Sequence, residues 1–156
     1  MFADNRSLAS ATLVGFALAS LFLAQDTSSR SPQDPAADVP AYHAQPPQGA
    51  LPATMSPQEF PDPVVKNAYA AAAKVKKALY QQPCYCHCDR SQGHESLLDC
   101  FASKHGSGCG TCIQEAFYTY EQTRKGKTPS QIRAGIERGE WKTVDLNKYQ
   151  NPLPAK

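Results

Sequence analysis

All six cysteines of this 156-residue chain fall between Cys84 and Cys112, and none lies elsewhere. They run as Cys84-Tyr85-Cys86-His87-Cys88, then Cys100, then Cys109-Gly110-Thr111-Cys112. Thiols at this density converge in any compact fold, and a fold that buries them must give them bonds. Three bonding schemes suit such spacing: a thiolate metal site, a disulfide framework, or a redox-active cysteine pair.

The spacing favours metal. If the first cluster is extended, alternate side chains share one side, so Cys84, Cys86 and Cys88 project together while Tyr85 and His87 point away. Disulfides fit a C-x-C-x-C run poorly, because at least two of its members must reach distant partners or close a strained ring. Cys109 and Cys112, three apart at a helix start, lie on one face with Cβ atoms about 5–6 Å apart. The unpaired N–H groups of the helix N-terminus also favour the thiolate that binds metal or attacks a disulfide. The expected ligands are therefore Cys84, Cys86, Cys88, Cys100, Cys109 and Cys112 with His94, and His87 and His105 are further candidates. Soft sulfur ligands select Cu(I) first and Zn(II) next. The alternatives are thiol–disulfide exchange through Cys109 and Cys112, and a purely structural disulfide-stabilised interaction domain.

The rest of the chain divides into unlike parts. Residues 8–24, LASATLVGFALASLFLA, form an uncharged apolar run behind Arg6, so residues 1–24 read as a signal peptide or membrane anchor. Nine of the thirteen prolines lie from Pro32 to Pro63, and residues 25–62 read as a Pro-rich disordered linker that buries too little apolar surface to offset its ordering entropy. Residues 63–141 form the Cys-rich helical domain, and residues 142–156 a C-terminal tail with a frayed end. The domain is too short for a large barrel or a doubly wound nucleotide fold.

Within the domain the expected fold is all-α, a small Cys-rich bundle of three to four helices. An apolar stripe at Val65, Ala68, Tyr69, Ala72, Val75 and Leu79 predicts one amphipathic helix over residues 64–82, entered at Pro61 and Pro63 and stopped by Pro83. A short helix over 95–101 buries Leu97, Leu98 and Phe101. A longer one over 109–125 presents Ile113, Phe117 and Tyr120 and stops at Gly126. Thr128-Pro129-Ser130-Gln131 is a capping box with proline at the first helical position, so a fourth helix runs to about Arg138, with Ile132 and Ile136 as its core contacts and Trp141 packing back. No alternating strand pattern appears.

Charge and motifs narrow the function classes. Residues 1–62 carry a formal balance of −4 and residues 63–156 one of +6, but no recognition-helix or aromatic-rich RNA signature accompanies the lysines, so no nucleic-acid partner is expected. No nucleophile–base pair, glycine-rich phosphate loop or acidic metal motif is present, and no enzyme and no small-molecule substrate are inferred.

The combined motifs resemble the PCYCGC family, small exported bacterial proteins that are often lipoproteins. The likeness lies in Pro83-Cys84-Tyr85-Cys86-His87-Cys88, in Gly93-His94-Glu95-Ser96-Leu97-Leu98-Asp99-Cys100-Phe101, and in His105-Gly106 leading to Cys109-Gly110-Thr111-Cys112. His87 stands where the family motif has glycine, and no cysteine follows the apolar run to carry a lipid. The resemblance implies export to the periplasmic or extracellular face, membrane-tethered or secreted, with the membrane as a partner if the N-terminal segment is uncleaved. It implies no activity. A weaker likeness, from Cys109-Gly110-Thr111-Cys112 to Gly126-Lys127-Thr128 and Ile132-Arg133, is to the helical thiol reductases of cytochrome c maturation. Under the metal reading the remaining partner is a metal-donor or acceptor protein.

Overall fold

The computed structural model describes residues 38–154. The signal or anchor expected over residues 1–24 and the first part of the expected linker, residues 25–37, lie outside them. The described residues are all-α, with six α-helices, short 3-10 turns and no strand. No helix among them is long and apolar enough to cross a membrane.

Helix α1 (Pro63–Lys74) starts where Asp62 accepts the Val65 N–H at 2.9 Å, with Pro63 in the first helical position. The single helix expected over residues 64–82 is broken at Val75, whose backbone (φ −123°, ψ 29°) leaves the helical region before α2 (Lys76–Leu79) resumes. The break keeps Val75, Ala78 and Leu79 all inside the core. Helix α3 (Cys88–Gln92), which has no apolar period to announce it, links the first cysteine cluster to α4 (Leu97–Ala102).

Helix α5 (Gly110–Arg124) is the axis of the fold, and α1 packs most extensively along it. Ala71, Ala72 and Ala116, all fully buried, leave room for close approach. The sequence assigns α5 one apolar face, but it is buried nearly all round, with Glu115, Thr119 and Gln122 enclosed beside Phe117, Tyr118 and Tyr120. A helix covered on every side loses the polar face by which periodicity is read. Helix α6 (Pro129–Glu137) carries the expected capping box, Thr128 with Gln131. It crosses α5 at Gly135, where a Cβ would lie 1.9 Å from the Tyr118 hydroxyl. Tyr118, Ile132, Ile136 and Trp141 form a second, smaller core cluster there.

Two expectations about the flanks are corrected. From residue 38 onward the expected linker is not a free tether but an arm laid along the helices. Pro40 is buried, His43 stacks on Tyr80 (centroids 3.9 Å apart), Arg133 covers the Tyr42 ring, and the Met55 N–H donates to the Phe101 carbonyl at 2.9 Å. Phe60 is buried against Tyr69. Averaged composition hides such sparse anchors, and a proline-rich segment has less backbone entropy to lose on docking. The expected tail also packs: Tyr149, on the 3-10 turn Leu146–Tyr149, stacks on Phe117 and donates to Glu121 at 2.6 Å. The Asn67 amide donates to the carbonyls of Tyr149 and Asn151.

Candidate metal centre

The first cysteine cluster is a tight turn rather than the extended segment read from the sequence. The His87 N–H donates to the Cys84 carbonyl at 3.0 Å, and His87 takes a left-handed conformation (φ 56°) before α3 begins. The turn still gathers Cys84, Cys86 and Cys88, whose sulfurs lie within 4.8 Å of one another. His87 stands edge-on to the Tyr85 ring and joins none of the donor groups, and its Nδ1 is buried without a hydrogen-bond partner among the described residues. Left-handed backbone is costly for a residue with a Cβ, which accounts for glycine in the family motif at this place.

Three other elements bring donors to the same point. Helix α4 carries Cys100, fully buried, behind a capping box of Ser96 and Asp99. His94 follows Gly93, whose positive φ of 68° ends α3, and its Nδ1 lies 3.4 Å from the Cys100 sulfur. His105 opens the 3-10 turn His105–Gly108, and its Nε2 lies 3.6 Å from the Cys86 sulfur. This turn lies flat on α4 because residue 106 is glycine: a Cβ there would meet the Cys100 carbonyl at 2.8 Å. Cys109 caps α5 and Cys112 sits in its first turn.

The sulfurs form one continuous network. Cys84 is 3.4 Å from both Cys86 and Cys112, Cys86 is 3.6 Å from Cys112, and Cys88 is 3.4 Å from Cys100. Four overlapping donor groups result: Cys86, His105, Cys109 and Cys112; Cys88, His94, Cys100 and His105; Cys84, Cys86 and Cys88; and Cys84, Cys100 and Cys112. Zn–S bonds of about 2.3 Å in a tetrahedron separate sulfurs by about 3.8 Å. The observed spacings are within a few tenths of that edge, and the donors are soft, so the residues are placed to bind a metal ion.

The electrostatics follow from crowding. Cys84 is pushed up, chiefly by Cys100 and Cys112, and Cys100 is pushed up chiefly by Cys112. Burial raises Cys109 to about 12. Cys100 and Cys84 hold Cys112 down to about 3 and lower Cys88 as well, while Cys84 lowers Cys86. Cys86 raises the His105 pKa.

One buried group was missed in the sequence. Glu115, fully buried on α5, accepts the Tyr85 N–H at 2.9 Å and so holds the turn that carries Cys84 and Cys86. Its other oxygen has no hydrogen-bond partner among the described residues, and burial raises its pKa well above the usual carboxylate range. The available signal was an acid one turn after Cys112 between two apolar residues of the helix stripe.

Comparison with curated proteins and with solved structures gives no match. The family described as proteins of unknown function with the PCYCGC motif matches residues 24–154, which includes the docked arm and the packed C-terminal segment as well as the thiol network. The chain therefore belongs to the PCYCGC family.

Proposed function

We propose that this is an exported soft-metal-binding protein that captures, buffers or hands over Cu(I), with Zn(II) as the second choice of ion. The observation that carries this reading is the single network of six sulfurs, four of them buried, with two imidazoles at its edge. Thiolate donors with so little oxygen around them favour soft ions. The apolar run at residues 8–24 supports export, with the membrane or a metal-exchanging protein as partner. No catalytic role is assigned.

A second reading, thiol–disulfide exchange through Cys109 and Cys112, is favoured by the low pKa of Cys112 at a helix start. Access opposes it: Cys112 is fully buried, while the more accessible Cys109 keeps its proton. An attacking thiol needs the reverse arrangement.

Native mass spectrometry of the protein from its exporting host, purified without reductant or chelator, tests the proposal. Added mass with a copper isotope pattern is expected, and Cys112→Ser lowers the metal content. A metal-free mass lacking two hydrogens per cysteine pair overturns it. Loss of disulfide exchange in that variant with metal content intact points to the second reading.

A further inference from the structure

The four donor groups are not equivalent in membership or in access. Cys109 belongs only to the group with Cys86, Cys112 and His105, whereas His94 belongs only to the group with Cys88, Cys100 and His105. Cys84 stands between them, grouped with Cys86 and Cys112 of the first and with Cys88 and Cys100 of the second. A sulfur with close neighbours on both sides is a natural bridging thiolate, since thiolate sulfur has lone pairs enough for two soft ions.

Access divides the same two groups. The arm lies against the inner one: Pro40 and Ala41 line a small gap with Cys84, Cys88 and His94, and Cys88 and Cys100 are buried. The Asp89 carboxylate accepts the Ala41 N–H at 3.2 Å, and Asp38 pairs with Arg90. Among the described residues, none of Cys86, His105, Cys109 and Cys112 lines that gap. Cys86 and Cys109 are both partly exposed. Cys109 lies between Gly108 and Gly110, two exposed glycines around which a Cβ would meet nothing within 4 Å. No side chain of its immediate neighbours shields this sulfur, and a partner's backbone can come close beside it.

We infer that the centre holds more than one Cu(I) in two linked chambers, an outer one at Cys86, Cys109 and Cys112 that exchanges ions with exposed thiols of a partner, and an inner one at Cys88, His94 and Cys100 that retains them. The inference rests on the soft-metal reading above. Exchange is a ligand substitution: the Cu–S bond to Cys109 breaks as a bond to the incoming thiol sulfur forms. The proton of that thiol passes to the released Cys109 sulfur, and copper stays Cu(I).

The test loads the full chain anaerobically with Cu(I), challenges it with excess dithiothreitol, and counts bound ions over time by native mass spectrometry. The wild type is expected to saturate above one ion and to unload through a long-lived partly loaded species. Cys109→Ser starts from that species and loses the fast phase. His94→Ala loses the slow phase and empties quickly. Both changes are at partly exposed positions, and circular dichroism checks that the helices persist. If either variant unfolds, the wild-type time course alone decides. Saturation at one ion, or unloading in a single step, overturns the inference while leaving the soft-metal reading intact. Binding of no copper overturns both.

Discussion

The two halves of α5 are both packed into the core and differently held. At the N-terminal end Cys112 is enclosed by Cys84, Cys100 and the loops that carry them; at the C-terminal half Phe117 and Tyr120 are enclosed by α1 and the C-terminal turns. The aromatic end is held by area and shape, with Tyr149 flat on Phe117, and such packing is indifferent to what binds elsewhere. At the thiol end short loops meet around polar, ionisable sulfur, whose preferred geometry depends on what bonds it. One helix thus joins a self-sufficient core to a conditional one.

The sharpest way to break this comparison is to supply or withdraw metal. Binding to the folded state alone stabilises it by about 4 kcal/mol at a thousandfold excess over Kd, which raises Tm by about 10 °C or more for a domain of this size. Hydrogen exchange locates the effect: amides of residues 84–88 and 109–113 gain protection on loading, and those of residues 117–122 change little. Uniform protection along α5 would erase the distinction between its ends.

The converse experiment removes packing from the aromatic end. Phe117→Ala deletes a fully buried ring and the stacking partner of Tyr149, at an expected cost of about 3–5 kcal/mol in chemical denaturation. Metal stoichiometry is expected to stay unchanged. A lost ion would mean that the two ends act as one unit.

How much of this was readable beforehand differs between the ends as well. The cysteines declare themselves because their residue type carries the chemistry, and any compact path for residues 84–112 brings them together. Pro83, the Thr128 capping box and Gly139 mark helix ends through local backbone rules, so α5 and α6 fall close to where the sequence puts them. What periodicity and composition missed is tertiary. Tyr42, Met55 and Phe60 anchor the arm singly, Tyr149 docks from a segment without a helical stripe, and Glu115 works from a helix with no polar side. The break at Val75 serves the packing of Ala78 and Leu79, which no local pattern announces.

A smaller effect sharpens the comparison inside the thiol end. His87 bears a left-handed backbone and an unpaired buried nitrogen, and it lies outside the donor groups. His87→Gly, which restores the family motif, is expected to stabilise the protein by about 1 kcal/mol. Metal stoichiometry should not change. A variant that binds one ion fewer would make His87 a ligand and the strain its cost.

The smallest expected effect concerns the aromatic end and pH. The partly exposed Glu140 carboxylate accepts hydrogen bonds from Tyr118 and from Arg138, and both, Tyr118 the more, hold its pKa below the ordinary value. A group whose pKa is depressed by folding contributes stability above its unfolded-state pKa and loses it as the pH falls through the folded-state value. The denaturation midpoint of the wild type should therefore exceed that of Glu140→Gln at neutral pH, with the gap closing below about pH 4.5, the ordinary value for this carboxylate. The contact lies at the surface, so salt narrows the gap at neutral pH. Metal loading should leave it unchanged, because Tyr118 and Glu140 bond each other and Arg138, and neither bonds a cysteine. A gap that opened or closed with copper would show that the thiol end reaches through α5 to its far side.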